Sequence, residues 1–159
     1  MTKVYLELSV LIALASQFDV FHIKTVDFVH MIERLGFESI SCRQAVEMDL
    51  AIGVSKRPFR VADALKTMEA IETYGIKLQE ARSRALLELV NDYSKEARLN
   101  IGDLLHYTGA SLLGTNYLAS WNTDDFNPHH EKSINRVNKR MNLKTIKVGT
   151  PTKIMEWIS

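Results

Sequence analysis

Short apolar runs of strand type alternate along this chain with longer segments of helical periodicity, and this alternation limits the possible folds. The strand-type runs cover residues 3–8, 38–41, 117–121 and 145–148. Strands separated by helices usually pair in parallel, and a parallel sheet needs helices on both of its faces. We therefore expect an α/β fold with a mainly parallel sheet flanked by helices on both faces.

The helical segments are predicted from apolar residues that recur every three or four positions. They cover residues 9–17, 20–35, 42–52, 61–74, 77–99, 100–113, 131–141 and the last residues after Thr150 and Pro151. No strand is predicted between residues 61 and 99, so we expect a helical hairpin that Gly75 divides. Ser41 and Gln44 have the spacing of a capping box for the third helix. Residues 56–58 are predicted to form a loop, and Gly36, Gly53 and Gly114 are predicted to end helices.

Composition places the chain among ordinary globular domains. Its 159 residues are 46% hydrophobic and 25% charged, and no linker or repeat divides them. We expect one domain over residues 1–159. No apolar run is long enough to span a bilayer, no signal-peptide pattern is present, and a single cysteine, Cys42, cannot form an internal disulfide. A cytoplasmic protein without a membrane segment is the expectation.

Charge is distributed unevenly along the chain. Residues 1–128 contain 13 Lys and Arg against 17 Asp and Glu, whereas residues 129–159 contain 7 against 2. A basic tail behind an acidic body can guide a polyanion such as RNA towards a metal site. The alternative is a lysine-rich surface helix that only keeps the protein soluble, and charge alone favours that alternative.

Acidic side chains fall at positions where a parallel sheet would collect them. Glu7 ends the first strand, Asp103 lies in the first turn of a helix that Asn100 caps, and Asn122, Asp124 and Asp125 follow the third strand. In open α/β sheets, ligands bind beyond the carboxyl ends of the strands. Carboxylates gathered there repel one another unless a hard cation such as Mg²⁺ or Mn²⁺ lies between them. The pattern therefore predicts a metal site suited to phosphodiester hydrolysis.

Each acid also has a structural explanation. Asp103 can be a helix cap that favours the helix dipole, and Glu47 can be an exposed residue of the third helix. Asp124 and Asp125 can be turn residues. Glu7 is harder to explain in this way, because it interrupts an apolar run that should be buried. The joint placement of these acids, rather than any single one, supports a site.

Four segments in order resemble the motifs of the PIN-domain ribonucleases, including the VapC-type toxins of toxin–antitoxin pairs. They are residues 4–12 around Glu7, the helix that contains Glu47, residues 103–106, and residues 118–126. Residues 134–138 and 149–155 resemble the tail of one PIN subfamily. The resemblance implies a Rossmann-like parallel sheet, an acidic site for Mg²⁺ or Mn²⁺, RNA cleavage, a homodimer and often a small antitoxin partner.

The family's site residues are transferred by position. Glu7 takes the place of the first acid, usually Asp, and Ser9 that of the polar residue which supports it. Glu47 matches the second acid and Asp103 the third. Asn122 falls where the fourth acid often stands, with Asp125 as a nearby substitute. The resemblance thus implies catalytic roles for all five of these acid and amide positions, with Glu7, Asp103 and Asp125 as metal ligands.

Two hypotheses follow for function. The first is a Mg²⁺- or Mn²⁺-dependent endoribonuclease whose tail residues Arg136, Lys139 and Arg140 help to hold the RNA backbone. The second is a catalytically weakened PIN-fold protein that binds RNA or protein, because Glu replaces Asp at position 7 and Asn122 lacks a charge. A phosphatase is less favoured, since the first strand lacks an Asp-x-Asp pair.

His106, one turn after Asp103, is expected to be a packed histidine, with a proton shuttle or phosphate contact as the alternative.

Overall fold

The computed structural model describes residues 1–56 and 59–159, and within these ranges it contains five strands and eight helices. The strands are β1 (Lys3–Leu6), β2 (Glu38–Cys42), β3 (Lys77–Gln79), β4 (Tyr117–Ala119) and β5 (Lys147–Gly149). The helices are α1 (Leu8–Ala15), α2 (His22–Arg34), α3 (Arg43–Lys56), α4 (Val61–Thr73), α5 (Ser83–Glu96), α6 (Ile101–Leu112), α7 (Pro128–Arg140) and α8 (Pro151–Ile158). Among the described residues, no helix combines the length and apolar character needed to cross a membrane.

The five strands form one parallel sheet in the order β3-β2-β1-β4-β5. Because side chains alternate along a strand, β1 contributes to both faces. Tyr5 packs with residues of α5, α6 and α7, whereas Val4 and Leu6 pack with residues of α1, α2 and α8. Both hydrophobic layers are therefore anchored on the central strand, and the predicted α/β fold with helices on both faces is confirmed.

The chain leaves β1 towards β2 on one side, and β4 lies on the other side of β1. The carboxyl ends of β1 and β4 are aligned, with Leu6 opposite Ala119. The backbone N–H of Glu7 continues this pairing by donating to the carbonyl of Ala119 at 3.0 Å. The order of the strands thus reverses at the β1–β4 pair, which is where α/β sheets form their ligand crevice.

The predicted helical hairpin over residues 61–99 is wrong. Residues 77–79 form strand β3, which pairs with β2, and α5 begins only at Ser83. The side-chain amide of Gln44 donates to the carbonyl of Ala81 at 2.6 Å and its oxygen accepts from the Ala81 N–H at 3.1 Å. This pair of hydrogen bonds holds the segment after β3 against the start of α3. The local sequence favours helical hydrogen bonds here, but the backbone instead pairs with β2 and bonds to the Gln44 side chain.

The same contacts explain why the predicted capping box does not form. Gln44 is bound to Ala81, and Ser41 belongs to β2, where its hydroxyl donates to the carbonyl of Leu6 at 2.7 Å. Helix α3 also continues through Gly53 to Lys56, contrary to the expected end. Gly36, Gly75 and Gly114 do follow helices as predicted, each with positive φ. In the predicted loop at 56–58, Lys56 ends α3, and residues 57 and 58 lie outside the described ranges.

Candidate active site

Glu7 lies at the junction of β1 and α1 and is almost completely buried. Its side chain caps α1, because Oε2 accepts a hydrogen bond from the Ser9 N–H at 3.0 Å. The same oxygen accepts from the hydroxyl of Ser9 and, at 2.7 Å, from that of Ser120. Three donors thus converge on one carboxylate oxygen. The structure therefore holds this carboxylate in a fixed orientation at the carboxyl end of the central strand.

The two serines also bind the chain that follows β4. The Ser9 hydroxyl accepts from the N–H of Trp121 at 2.9 Å, and the Ser120 hydroxyl accepts from the N–H of Asn122 at 3.0 Å. Each hydroxyl thus donates to Glu7 and accepts from the backbone. Sequence reasoning identified Ser9 as the support of Glu7 but missed Ser120. A serine directly after a buried strand was the available signal.

Asp103 lies in the first turn of α6, as its spacing from Asn100 predicted. The Asp103 N–H donates to Asn100 Oδ1 at 2.9 Å, and the Asn100 amide donates to Asp103 Oδ2 at 2.8 Å. Burial is the main cause that raises the pKa of the Asp103 carboxyl, to about 8. The hydrogen-bonded and charged carboxyl of Asp125 raises this pKa further, with smaller contributions from Glu7 and Asp49. Several acids therefore face the same small volume.

Asp125 reaches Asp103 from the segment that follows β4. The side-chain amide of Asn122 donates to Asp125 Oδ2 at 3.0 Å, and the Tyr107 hydroxyl donates to the Asp125 carbonyl at 2.9 Å. Asn122 thus orients the acid beside Asp103 instead of replacing it. The side chain of Asp124 is exposed, and its carbonyl accepts a hydrogen bond from the amide of Asn127.

A further acid, Asp49, joins this group from helix α3, and sequence reasoning missed it. Asp49 Oδ2 lies 3.1 Å from His106 Nε2. One ligand atom from each of Glu7, Asp49 and His106 lies within 4.8 Å of the others. Residues 45, 46 and 50 are the buried residues of α3, and position 49 shares their side of the helix. Helical periodicity was therefore a signal that could have selected Asp49.

Glu47, which the family resemblance selected, is not brought into the group. Its side chain is 57% exposed and lies 3.9 Å from the guanidinium of Arg43 in an i, i+4 ion pair. Residues two positions apart on an α-helix point in nearly opposite directions. Glu47 and Asp49 therefore cannot both face the centre, and the tertiary structure selects Asp49.

The basic tail lies on α7 and the residues after it. Arg136 and Arg140 each approach Glu96 of α5 at 3.5 Å, so part of their charge is balanced within the protein. Lys139 is exposed. At the start of α7, His130 Nδ1 lies 2.9 Å from the carbonyl of Asp125. The basic helix thus begins beside the acidic group, although its arginines lie further along.

A groove on the surface does not coincide with the acidic group. It has a volume of about 790 Å³ and lies between the end of α1 with its following loop and helix α4. Phe59, Thr67 and Tyr74 line one side, and Ile12 and Phe18 line the other. The acids themselves lie at the carboxyl ends of β1 and β4, outside this groove.

Comparison with solved structures gives a match to a chain in the crystal structure of VapBC2 from Rickettsia felis bound to a DNA fragment from their promoter. The TM-score is 0.58, and the match covers 77% of this chain and 90% of the other at 12% sequence identity. At this identity the likeness shows the fold alone, and it confirms the predicted VapC-like PIN fold. No protein-family model matches the sequence, and neither does any curated protein.

Proposed function

We propose that this chain, which has the fold of a VapC-like PIN domain, is a Mg²⁺- or Mn²⁺-dependent endoribonuclease. The observation that carries the proposal is the convergence of Glu7, Asp49, Asp103 and Asp125 at the carboxyl ends of β1 and β4. These residues come from four separate parts of the chain. Glu7 and Asp103 are buried and Asp49 and Asp125 are partly buried, and acids placed together in this way are costly for a protein that binds no cation there.

The donor atoms fit a hard divalent cation. The group is rich in carboxylate oxygens, which Mg²⁺ and Mn²⁺ prefer. Burial is the main cause of the raised pKa of Asp103, and the neighbouring acids Asp125, Glu7 and Asp49 raise it further, so a dication would balance negative charge at this place. We propose Glu7, Asp103 and Asp125 as the metal ligands, as the family resemblance implies. Asp49 joins them as the second acid, the role that the resemblance gave to Glu47. A bound dication would stabilise the negative charge that develops on a phosphodiester during hydrolysis.

The protein's own side chains have distinct tasks in this proposal. Ser9 and Ser120 hold the Glu7 carboxylate, and Asn100 and Asn122 hold Asp103 and Asp125. Without a cation, the raised pKa of Asp103, about 8, leaves a proton on this carboxyl near neutral pH. Binding of the cation releases that proton, so affinity for the metal should rise with pH.

RNA is the proposed substrate because the acidic group lies beside the start of a basic helix. Helix α7 and the residues after it carry most of the tail's positive charge, and Lys139 is exposed to solvent. Such a surface attracts a phosphate backbone in a salt-dependent manner. Part of the charge of Arg136 and Arg140 is used by Glu96, so we assign these two arginines a smaller share of the binding.

The experiment is cleavage of a mixed RNA pool with Mn²⁺, with and without chelator. We expect metal-dependent cleavage by the wild type and at least a 100-fold loss in Asp103→Asn, about the size of effect for a charge used in the transition state. The matched control is Asp124→Asn, which removes an exposed carboxylate from the same segment and should retain full activity. Equal cleavage by wild type and Asp103→Asn would contradict the proposal.

A partner protein is proposed on the basis of the fold. The similar structure is a VapBC2 assembly, which supports a small antitoxin as partner of this chain. We therefore expect expression of the wild type to arrest growth of a host cell and Asp103→Asn to be tolerated.

We also propose a homodimer, as the family resemblance implies, which light scattering of the purified protein tests directly.

A second candidate function is a PIN-fold binding module that has lost catalysis. It is favoured by Asn122, which supplies an amide where a fourth acid often stands. This function predicts that Mn²⁺ does not stabilise the fold beyond the effect of a very weak site. A Mn²⁺-dependent rise in Tm that is present in the wild type and absent in Glu7→Ala would decide against it.

A further inference from the structure

His106 is completely buried in α6, and each of its ring nitrogens has a partner. Nδ1 lies 2.8 Å from the hydroxyl oxygen of Tyr5, and Nε2 lies 3.1 Å from Asp49 Oδ2. Tyr5 comes from the central strand and Asp49 from α3. The imidazole therefore connects the middle of the sheet to an acid of the proposed metal site.

The proton on the ring can be assigned from the hydrogen bonds of Tyr5. The Tyr5 oxygen accepts from the backbone N–H of Cys42 at 3.2 Å, so its own proton is free to be donated to His106 Nδ1. With Nδ1 as acceptor of the Tyr5 proton, the ring carries its own proton on Nε2 and donates it to Asp49.

The other oxygen of Asp49 is also fitted to α6. A Cβ atom on Gly102 would lie 2.8 Å from Asp49 Oδ1, which is shorter than such contacts allow. Gly102 and His106 are one helical turn apart on the same face. In helix α6, Gly102 therefore leaves space for Asp49 Oδ1, and His106 Nε2 lies within hydrogen-bonding distance of Asp49 Oδ2.

We infer that His106 is a positioning residue that holds the Asp49 carboxylate towards Glu7 by donating from Nε2, and that it is not itself a metal ligand. Tyr5 selects the ring tautomer that makes this possible. A ligating nitrogen must be free of a proton, and the hydrogen bonds place the proton on the nitrogen that faces the site. This inference rests on the proposed function, since it assumes that the acids bind a dication.

Calorimetric titration of the metal-free protein with Mn²⁺ tests the inference. We expect His106→Leu to weaken Mn²⁺ binding about 10- to 100-fold, the usual effect of losing a partner that orients a ligand. His106→Gln should restore most of the affinity, because the glutamine amide N–H reaches about the same place as Nε2–H. The matched control is His129→Leu, at an exposed histidine, which should bind Mn²⁺ like the wild type.

Two further variants test the same contacts without removing the ring. Gly102→Ala should weaken Mn²⁺ binding by displacing Asp49, and Tyr5→Phe should weaken it by freeing the tautomer. Both keep His106, so they remain informative if His106→Leu does not fold. Wild-type affinity in these two folded variants would overturn the inference.

The tautomer itself is measured by the ¹⁵N shifts of the His106 ring during titration with Mg²⁺. We expect Nε2 to keep its proton before and after the metal is added. Loss of that proton on addition of Mg²⁺, together with failure of His106→Gln to restore affinity, would show that His106 is a ligand and overturn the inference. If the wild type bound neither Mg²⁺ nor Mn²⁺, the nuclease proposal would fail and this inference with it. Insensitivity to His106 in a protein that binds Mn²⁺ would overturn this inference alone.

Discussion

The carboxyl of Asp125 lies beside that of Asp103 and raises its pKa, although one residue is in the first turn of a helix and the other follows a strand. Burial and this contact raise the pKa of Asp103 to about 8. A carboxyl whose pKa is higher in the folded than in the unfolded protein binds an extra proton on folding. Asp103 is therefore a source of pH-dependent stability as well as a candidate metal ligand.

This pair predicts that the metal-free protein loses stability as pH rises. Between the unfolded pKa of Asp103 and its folded value near 8, the folded state holds more protons than the unfolded state, so stability falls with increasing pH. We expect Tm measured in chelator to decrease from about pH 6 to about pH 9. The decrease should be smaller in Asp103→Asn, whose amide has no proton to lose, and a fall of equal size in both proteins would contradict the assignment.

Replacement of Ser120 by Ala should destabilise the fold. The hydroxyl donates to Glu7 and accepts from the Asn122 N–H, so its removal leaves a buried carboxylate and a partly buried N–H without this partner. We expect a loss of about 1–3 kcal/mol in the free energy of unfolding, measured by urea denaturation. Ser94→Ala, at an exposed hydroxyl that bonds to its own helix, is the control and should change stability by less than about 0.5 kcal/mol.

The choice between Asp49 and Glu47 predicts unequal effects on catalysis. Asp49→Asn should reduce Mn²⁺-dependent RNA cleavage by about 10-fold or more, because it replaces one carboxylate of the acidic group with a neutral amide. Glu47→Gln should retain activity, since Glu47 is exposed and paired with Arg43. The two variants are compared in the same cleavage assay at saturating Mn²⁺. A greater loss in Glu47→Gln would reverse the assignment of the second acid.

Close packing of α6 on the sheet predicts that Gly109 is intolerant of a side chain. A Cβ atom there would lie 2.4 Å from the Cβ of Cys42 and 3.0 Å from its sulfur. We expect Gly109→Ala to cost about 1–3 kcal/mol through displacement of α6 or β2. Gly53→Ala, whose nearest contact is the Phe59 ring at 3.2 Å, should cost less. Equal urea midpoints for both variants would be inconsistent with this contact.

Features that depend on neighbours along the chain were predictable from the sequence. Asn100 and Asp103 form their reciprocal bonds because the backbone of one helical turn brings them together. Thr150 caps α8 with Pro151 in the first turn for the same reason. Glu7 was identified because a charge in an apolar run requires buried partners, and the structure supplies them from two serines.

Features that depend on distant residues were not predictable in this way. Residues 76–81 have no local signal strong enough to exclude a helix. Strand β3 forms because its backbone pairs with β2 and because Gln44 binds the backbone of Ala81 just after it. Likewise the sequence offers both Glu47 and Asp49 on one helix. Helical periodicity places Asp49 on the buried side of α3, but the contact of that side with His106 depends on how α3 packs against α6.

The sequence by itself thus determined the strands and helices whose signals are local, the parallel class of the sheet, and the acids at the ends of β1 and at the start of α6. The tertiary structure alone decided that Asp49 joins them, that Asn122 serves Asp125, and that His106 is turned by Tyr5 towards the site. The physical reason is range. Capping and periodicity act within one or two helical turns, whereas burial of charge and hydrogen bonds between separate elements exist only after the sheet has brought those elements together.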